Sequence, residues 1–399
     1  MFLPLCTCRL RGRGGGYCRL VPKSARFVRL LRAEKSGATC GARPAEAMQL
    51  KPGSIVTMIT PFGADGKIDY AAVERLVEWY LASGCAGIFS PCLSSEMFDL
   101  SADERLELAA AVRRCVAGRA AVVSTGTYGG PIEDQAAFVK KISQHCDAVV
   151  VNTAALTAEG EDDVAWQRAA SELLRLTGDV ELGLYECPVP YKRLLSPDLM
   201  RWCAESGRFS FHKDTCCNTA DIQAKLDAVA AAGTKGARFR FYNANVETLL
   251  PSLRLGGHGF SGISANFYPH LHAWLCAAAV DPGAHGASEA ALQKVQDFLS
   301  LAEATVCVHY PCSAKTYLRH APYPEHANRS GDRSDAGRIR SACRVRGLDE
   351  PLFLEHQHAA LAAMWRLQRA LSEELAIACP AMPFEQPAGE ASGQKRPRT

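Results

Sequence analysis

The 399-residue chain lacks any run of the roughly 18 uninterrupted apolar residues that a spanning helix needs. That predicts no membrane partner. It also lacks a basic body. Net charge is +3, but residues 1–47 carry ten Lys/Arg against only Glu34 and Glu46, so 48–399 is left near −5. A mildly acidic body excludes nucleic acid as the main partner. Cysteine is plentiful, at seventeen, yet no CxxC pair recurs at zinc-ligand spacing. Several cysteines, such as Cys85, Cys115 and Cys276, fall inside apolar runs. They read as small hydrophobes in a reducing compartment. What remains is ordinary: 48% hydrophobic and 22% charged, the composition of a soluble globular protein with room for a sizeable core.

Residues 1–47 scatter arginines among Gly, Ser and Ala. This is transit-peptide composition, although Gly14-Gly15-Gly16 would break an amphipathic helix there. An unselected extension upstream of Met48 fits equally well. The compartment is therefore cytoplasmic, or mitochondrial or plastid if 1–47 is a transit peptide. From Ser54 short apolar runs predict strands at 54–59, 86–90, 120–125, 147–152, 180–185, 208–213, 236–241 and 259–263. Helical patterns lie between them at 70–83, 101–117, 132–145, 161–177, 196–206, 218–232, 243–256 and 267–280. Ser101 and Glu104 form a capping box at the second of these. Eight strand-helix units predict a (β/α)8 TIM barrel over 48–285. A doubly wound sheet would want a glycine-rich turn after its first strand. Here that turn is Thr60-Pro61-Phe62. Helices are expected at 287–306, 312–320 and 352–377, giving a C-terminal helical extension over 286–379. The stretch 322–348 reads as an exposed loop, and 380–399 as a disordered tail.

Lys213 closes the run Arg208-Phe209-Ser210-Phe211-His212-Lys213, and Tyr185 closes 180–185. Both therefore stand where a strand ends, on the face of a barrel where chemistry occurs. A free lysine is only about 0.1% neutral amine at pH 7.5. Burial can lower its pKa to about 7.5, at roughly 4 kcal/mol of differential interaction. Alternation places Phe209 and Phe211 on the same interior face as Lys213, with Asp214 pointing away. A neutral amine beside a phenol suggests a Schiff base with a carbonyl substrate, the phenol moving protons. Ser94 and Ser95, at a loop-helix entry, can hold a carboxylate. The late strand Gly259-Phe260-Ser261-Gly262-Ile263-Ser264 is rich in small residues that allow close approach. His258 beside it reads as structural.

In this order these residues resemble the dihydrodipicolinate synthase/N-acetylneuraminate lyase family of class I pyruvate aldolases. The resemblance covers about 52–320. It rests on Thr60-Pro61-Phe62 with Asp65-Gly66-Lys67-Ile68-Asp69, on Ser94-Ser95-Glu96 with Leu100-Ser101 and Glu104-Arg105, and on Tyr185 with Pro188. Lys213-Asp214 and the segment from Gly256-Gly257 to Ser264-Ala265-Asn266 complete it. It implies Lys213 as the Schiff-base residue and Tyr185 as proton shuttle. Ser94, Ser95, Ser261 and Ile263 would bind the substrate, and the assembly would be a homotetramer or homodimer. The departures are specific. Leu93 stands where the synthase branch has a relay threonine. Asn152-Thr153-Ala154-Ala155 carries no relay tyrosine. Pro190 falls near the synthase's substrate-binding arginine, with Lys192 and Arg193 close by.

The expected function is a Schiff-base lyase or aldolase that makes or breaks a C–C bond next to a 2-oxo acid, with an aldehyde as the other partner. No metal or organic cofactor is called for, because the protonated imine is itself the electrophile. Two alternatives stand: a condensing enzyme of the dihydrodipicolinate synthase type, and a barrel that binds 2-oxo acids without turnover.

Overall fold

In the computed structural model, residues 49–323, 339–345 and 355–384 are described. Eight parallel strands close into a barrel in chain order: β1 (Gly53–Thr57), β2 (Gly87–Phe89), β3 (Ala121–Thr125), β4 (Ala148–Asn152), β5 (Leu182–Tyr185), β6 (Phe209–Asp214), β7 (Arg240–Asn243) and β8 (Gly259–Phe260). The barrel closes where β8 meets β1, with Gly53 opposite Gly259. A Cβ on Gly259 would stand 1.8 Å from the Gly53 carbonyl oxygen, so that seam admits only glycine. The TIM-barrel expectation is met.

Helices α1 (Tyr70–Ala82), α2 (Ala102–Val116), α3 (Ile132–Ile142), α4 (Asp163–Thr177), α5 (Pro197–Glu205), α6 (Thr219–Ala231), α7 (Leu249–Arg254) and α8 (Pro269–Val280) surround the barrel. Their starts follow side-chain chemistry. Asp69, Ser101, Asp162, Ser196 and Asn218 each accept a backbone N–H of the first turn. The Ser101/Glu104 capping box forms as the sequence predicts. After the barrel come α9 (Glu289–Val306), α10 (Cys312–His320) and α11 (Glu355–Glu374). No helix among the described residues is long and apolar enough to cross a membrane.

Five expectations need correction. Strand β7 starts at Arg240, and a 3-10 segment occupies Gly233–Arg238 instead. Pairing with β6, Phe211 opposite Arg240, sets that later start. Helix α7 is much shorter than 243–256. Asn243 and Asn245 bond the backbone of Asn245 and Thr248 and hold the chain in a loop. Phe209 does not face the barrel interior. The β5/β6 register slips between Leu182 and Gly183, leaving Ser210 unmatched, so alternation reverses there. Phe209 consequently packs in the outer cluster with Leu199 and Ile222, while Phe211 points inward. Part of 322–348 is not an exposed loop: Ile339 and Ser341 are buried, and Arg344 is tied to the barrel. Met382 and Phe384, assigned to a disordered tail, are also buried. The expectations for 1–47, and for the rest of the loop and tail, lie outside the described residues.

Candidate active site

The barrel interior is lined by Ile55, Phe89, Val123, Val150, Phe211 and Tyr242, which form one cluster with Tyr185, Cys92 and Cys187. Tyr185 and Lys213 are register partners at the ends of β5 and β6. The Lys213 Nζ lies 4.4 Å from the centroid of the Tyr185 ring and 5.9 Å from that of Phe89. Only 4% of Lys213 and 3% of Tyr185 is exposed. Burial lowers the Lys213 pKa to about 8, against a smaller upward pull from the Cys92 and Cys187 thiols. By the usual titration curve, roughly a quarter is neutral at pH 7.5, some two orders of magnitude above a free lysine. Burial, and then the same two thiols, hold the Tyr185 phenol well above its ordinary pKa. The pair is thus an amine ready to attack and a phenol that keeps its proton to give.

Asp214 points away, as alternation requires. It joins Glu186 and Lys225 behind the strand. Its carboxylate therefore does not hold Lys213 charged.

The serines divide their work. The Ser95 hydroxyl donates to the Met58 carbonyl at 2.6 Å and accepts from the Cys92 N–H at 3.1 Å. It ties the loop after β2 to the end of β1, so its oxygen is already engaged. Ser94, on the one-turn 3-10 helix Leu93–Ser95, instead faces a phenol absent from the sequence argument, that of Tyr310, and acts against the upward effect of burial on it. Ser261 follows β8, is fully buried, and its hydroxyl has no partner among the described residues. The Ile263 carbonyl accepts from the Asn266 amide at 3.1 Å. His258 sits before β8, where its Nδ1 accepts from the Phe241 N–H, and burial lowers its pKa to about 4. It is structural.

Tyr310 is the residue that sequence reasoning missed. It lies between α9 and α10, and its hydroxyl accepts from Asn266 Nδ2 at 2.9 Å. The Thr57 hydroxyl at the end of β1 is nearby, donating to the Gly262 carbonyl at 3.0 Å. Asn266 is itself fixed, donating to the Thr57 carbonyl at 2.8 Å and accepting from the Tyr80 hydroxyl at 2.7 Å. A lone tyrosine beside a proline in a helical extension carries no motif that would reveal this.

In the loops that follow β3, β4 and β5 a cavity of about 470 Å³ is lined by Tyr128, Ala154, Ala155, Leu156, Pro190 and Tyr191, among others. No Lys or Arg among the described residues lines it. Arg193, a candidate substitute for the missing arginine, is buried and committed to Asp163 at 2.9 Å and to the Glu161 and Asp162 carbonyls.

The profile of the Dihydrodipicolinate synthetase family matches residues 51–144. The 4-hydroxy-tetrahydrodipicolinate synthase of Laribacter hongkongensis is 28% identical over 228 residues, 57% of this chain and 75% of that one. Among solved structures, the dihydrodipicolinate synthase of Bacteroides thetaiotaomicron superposes with a TM-score of 0.65 at 20% identity, covering 80% of this chain and 99% of its own. The chloride-inhibited synthase of Acinetobacter baumannii, complexed with pyruvate, gives 0.62 at 20%, covering 82% and 99%. At that identity the two structures speak to the fold.

Proposed function

We propose that the chain, which matches the Dihydrodipicolinate synthetase family over residues 51–144, is a pyruvate-type Schiff-base aldolase or lyase with Lys213 as nucleophile. One observation carries the reading: a fully enclosed lysine, its pKa lowered to about 8, lies against a protonated phenol at the carboxyl ends of neighbouring strands. Lys213 Nζ attacks the keto carbon of a 2-oxo acid. Tyr185 protonates the carbinolamine hydroxyl, which leaves as water, and an iminium remains. The iminium draws electrons from C3: the phenolate left on Tyr185 takes the C3 proton to give the enamine, or takes the C4 hydroxyl proton as the C3–C4 bond breaks and an aldehyde leaves, and in either case the phenol is restored. In the condensing direction Tyr185 gives its proton to the aldehyde oxygen as the bond forms. Ser94 and Ser261 are the hydroxyl donors for the acid, with Ser95 shaping the loop and the Ile263 carbonyl held by Asn266. The cavity beside Ala155 and Pro190 is lined by Tyr128 and Tyr191, but Ala154 and Ala155 offer no phenol, and Pro190 no guanidinium, where the synthase pattern has them. That supports an aldolase with a different acceptor over the lysine-pathway synthase.

Borohydride added with pyruvate should fix one reduced adduct per chain, and an intact mass without it rejects the reading. The trapping rate should climb with pH to a midpoint near 8 and then level off. The sign follows from the neutral amine being the reactive form. A rate still rising tenfold per unit at pH 9.5 would mean an ordinary lysine.

Tyr310 completes the carboxylate side by orienting the Ser94 hydroxyl. Replacing it with phenylalanine removes the hydroxyl that accepts from Asn266 and faces Ser94; each neutral hydrogen bond is worth about 0.5–1.5 kcal/mol, and only the contact with Ser94 bears on the acid. Half-saturating pyruvate should increase about threefold to tenfold, with the saturated rate little changed. Steady-state kinetics separates these two effects.

A further inference from the structure

Behind the strand ends lies a second constellation that the chemistry above does not use. The Lys225 ammonium, on α6, donates to Glu186 Oε1 and to Asp214 Oδ1, each at 2.6 Å. All three side chains are buried. His212 stands 3.8 Å from both carboxylates. Glu186, His212 and Asp214 could by themselves surround a cation, but the ammonium already bridges the two acids. The charges of Glu186 and Asp214 hold Lys225 protonated against the opposing effect of burial, which is the largest single influence on it.

Glu186 follows Tyr185 in the chain, and Asp214 follows Lys213. Each carboxylate is thus one peptide unit, about 3.8 Å between Cα atoms, from one member of the reacting pair. At this end the last bond of the β5/β6 ladder, Glu186 N–H to the Lys213 carbonyl, is stretched to 3.3 Å. Other contacts converge on Glu186. Its carboxylate accepts from Leu195 N–H at 2.8 Å and Thr215 N–H at 2.9 Å, and its carbonyl accepts from the Thr215 hydroxyl at 2.8 Å. Buried charge clusters of this kind add little net stability over apolar packing of similar volume, so stability alone does not account for this one.

We propose that Lys225 is a positioning residue: by clamping Glu186 to Asp214 it sets the separation of Tyr185 from Lys213. The proposal rests on the reading of Lys213 as the nucleophile. Misplacement of reacting groups by about 1 Å can cost on the order of 10²-fold in rate. The side chain acts from the far face of the strands, with the barrel wall between it and any substrate.

The test follows imine formation with pyruvate on the full chain by quenching into borohydride over time. Intact mass gives both the rate and the final fraction of chains labelled. Lys225→Met alone strands two buried carboxylates and threatens folding. The main variant therefore combines it with Glu186→Gln and Asp214→Asn, and Asp214→Asn alone is a gentler arm. Expected are full labelling in both arms and half-saturating pyruvate within about threefold of wild type. The saturated rate should fall tenfold or more in the triple variant and less in the single one. Rates within twofold of wild type in every folded arm overturn the clamp. So does a lower labelled fraction at an unchanged rate, which is what a merely structural role produces. A wild type that is never labelled overturns the imine reading and the clamp together. A labelled wild type with unaffected variants removes the clamp alone.

Discussion

Lys213→Ala should abolish borohydride trapping by pyruvate and lower aldol cleavage by on the order of 10³-fold or more, the scale seen when a covalent nucleophile is deleted. The fold should survive. The side chain makes no ion pair among the described residues, and Asp214 beside it is engaged by Lys225. Removing an amine that burial holds near pKa 8 also relieves a cost. The native state disfavours the ammonium by roughly 3 kcal/mol relative to a free lysine. Thermal stability at pH 7 should thus be equal to wild type or better, which separates loss of chemistry from loss of structure. Intact mass and a melting curve on one preparation decide it. An adduct that persists in the alanine variant places the covalent bond elsewhere.

Tyr185→Phe should keep imine formation measurable but slow turnover by about 10² to 10⁴-fold, the usual worth of a positioned proton donor. The ring stays, so its edge-on contact with Phe89, at 5.7 Å between centroids, should be retained. Only the hydroxyl is lost. Because burial keeps that phenol protonated well beyond neutral pH, the wild-type profile should show no alkaline fall from Tyr185 below pH 10. The fall should be absent from the variant too. A variant within tenfold of wild type in cleavage of 4-hydroxy-2-oxo acids would take the shuttle role from Tyr185.

The barrel, and the meeting of Tyr185 with Lys213 at its strand ends, were legible because they depend on local pattern. Alternation of apolar runs with capped helices defines strand ends, and Tyr185 and Lys213 are the polar residues found there. Phe209 was misplaced because a single unmatched residue, Ser210, reverses every inside/outside assignment on its side of the slip. Tyr310 escaped because its neighbours, Thr57, Ser94 and Asn266, come from three distant parts of the chain. Lys225 escaped for a different reason. Four residues after Asp221 on α6, it has the spacing of a solvent-facing helix pair, yet it is only 3% exposed. Its partners are fixed by the meeting of two strand ends, which no helical period records.

Glu96, directly after the serine loop, receives the Lys315 ammonium and the backbone N–H groups of Arg344 and Val345. Arg344 lies 248 residues downstream. A ribosome adding about 5–20 residues per second needs roughly 12–50 s to make that stretch. The cation that meets Glu96, Lys315, comes 219 residues after it, so the partners of this glutamate beside the second strand are made only late in synthesis.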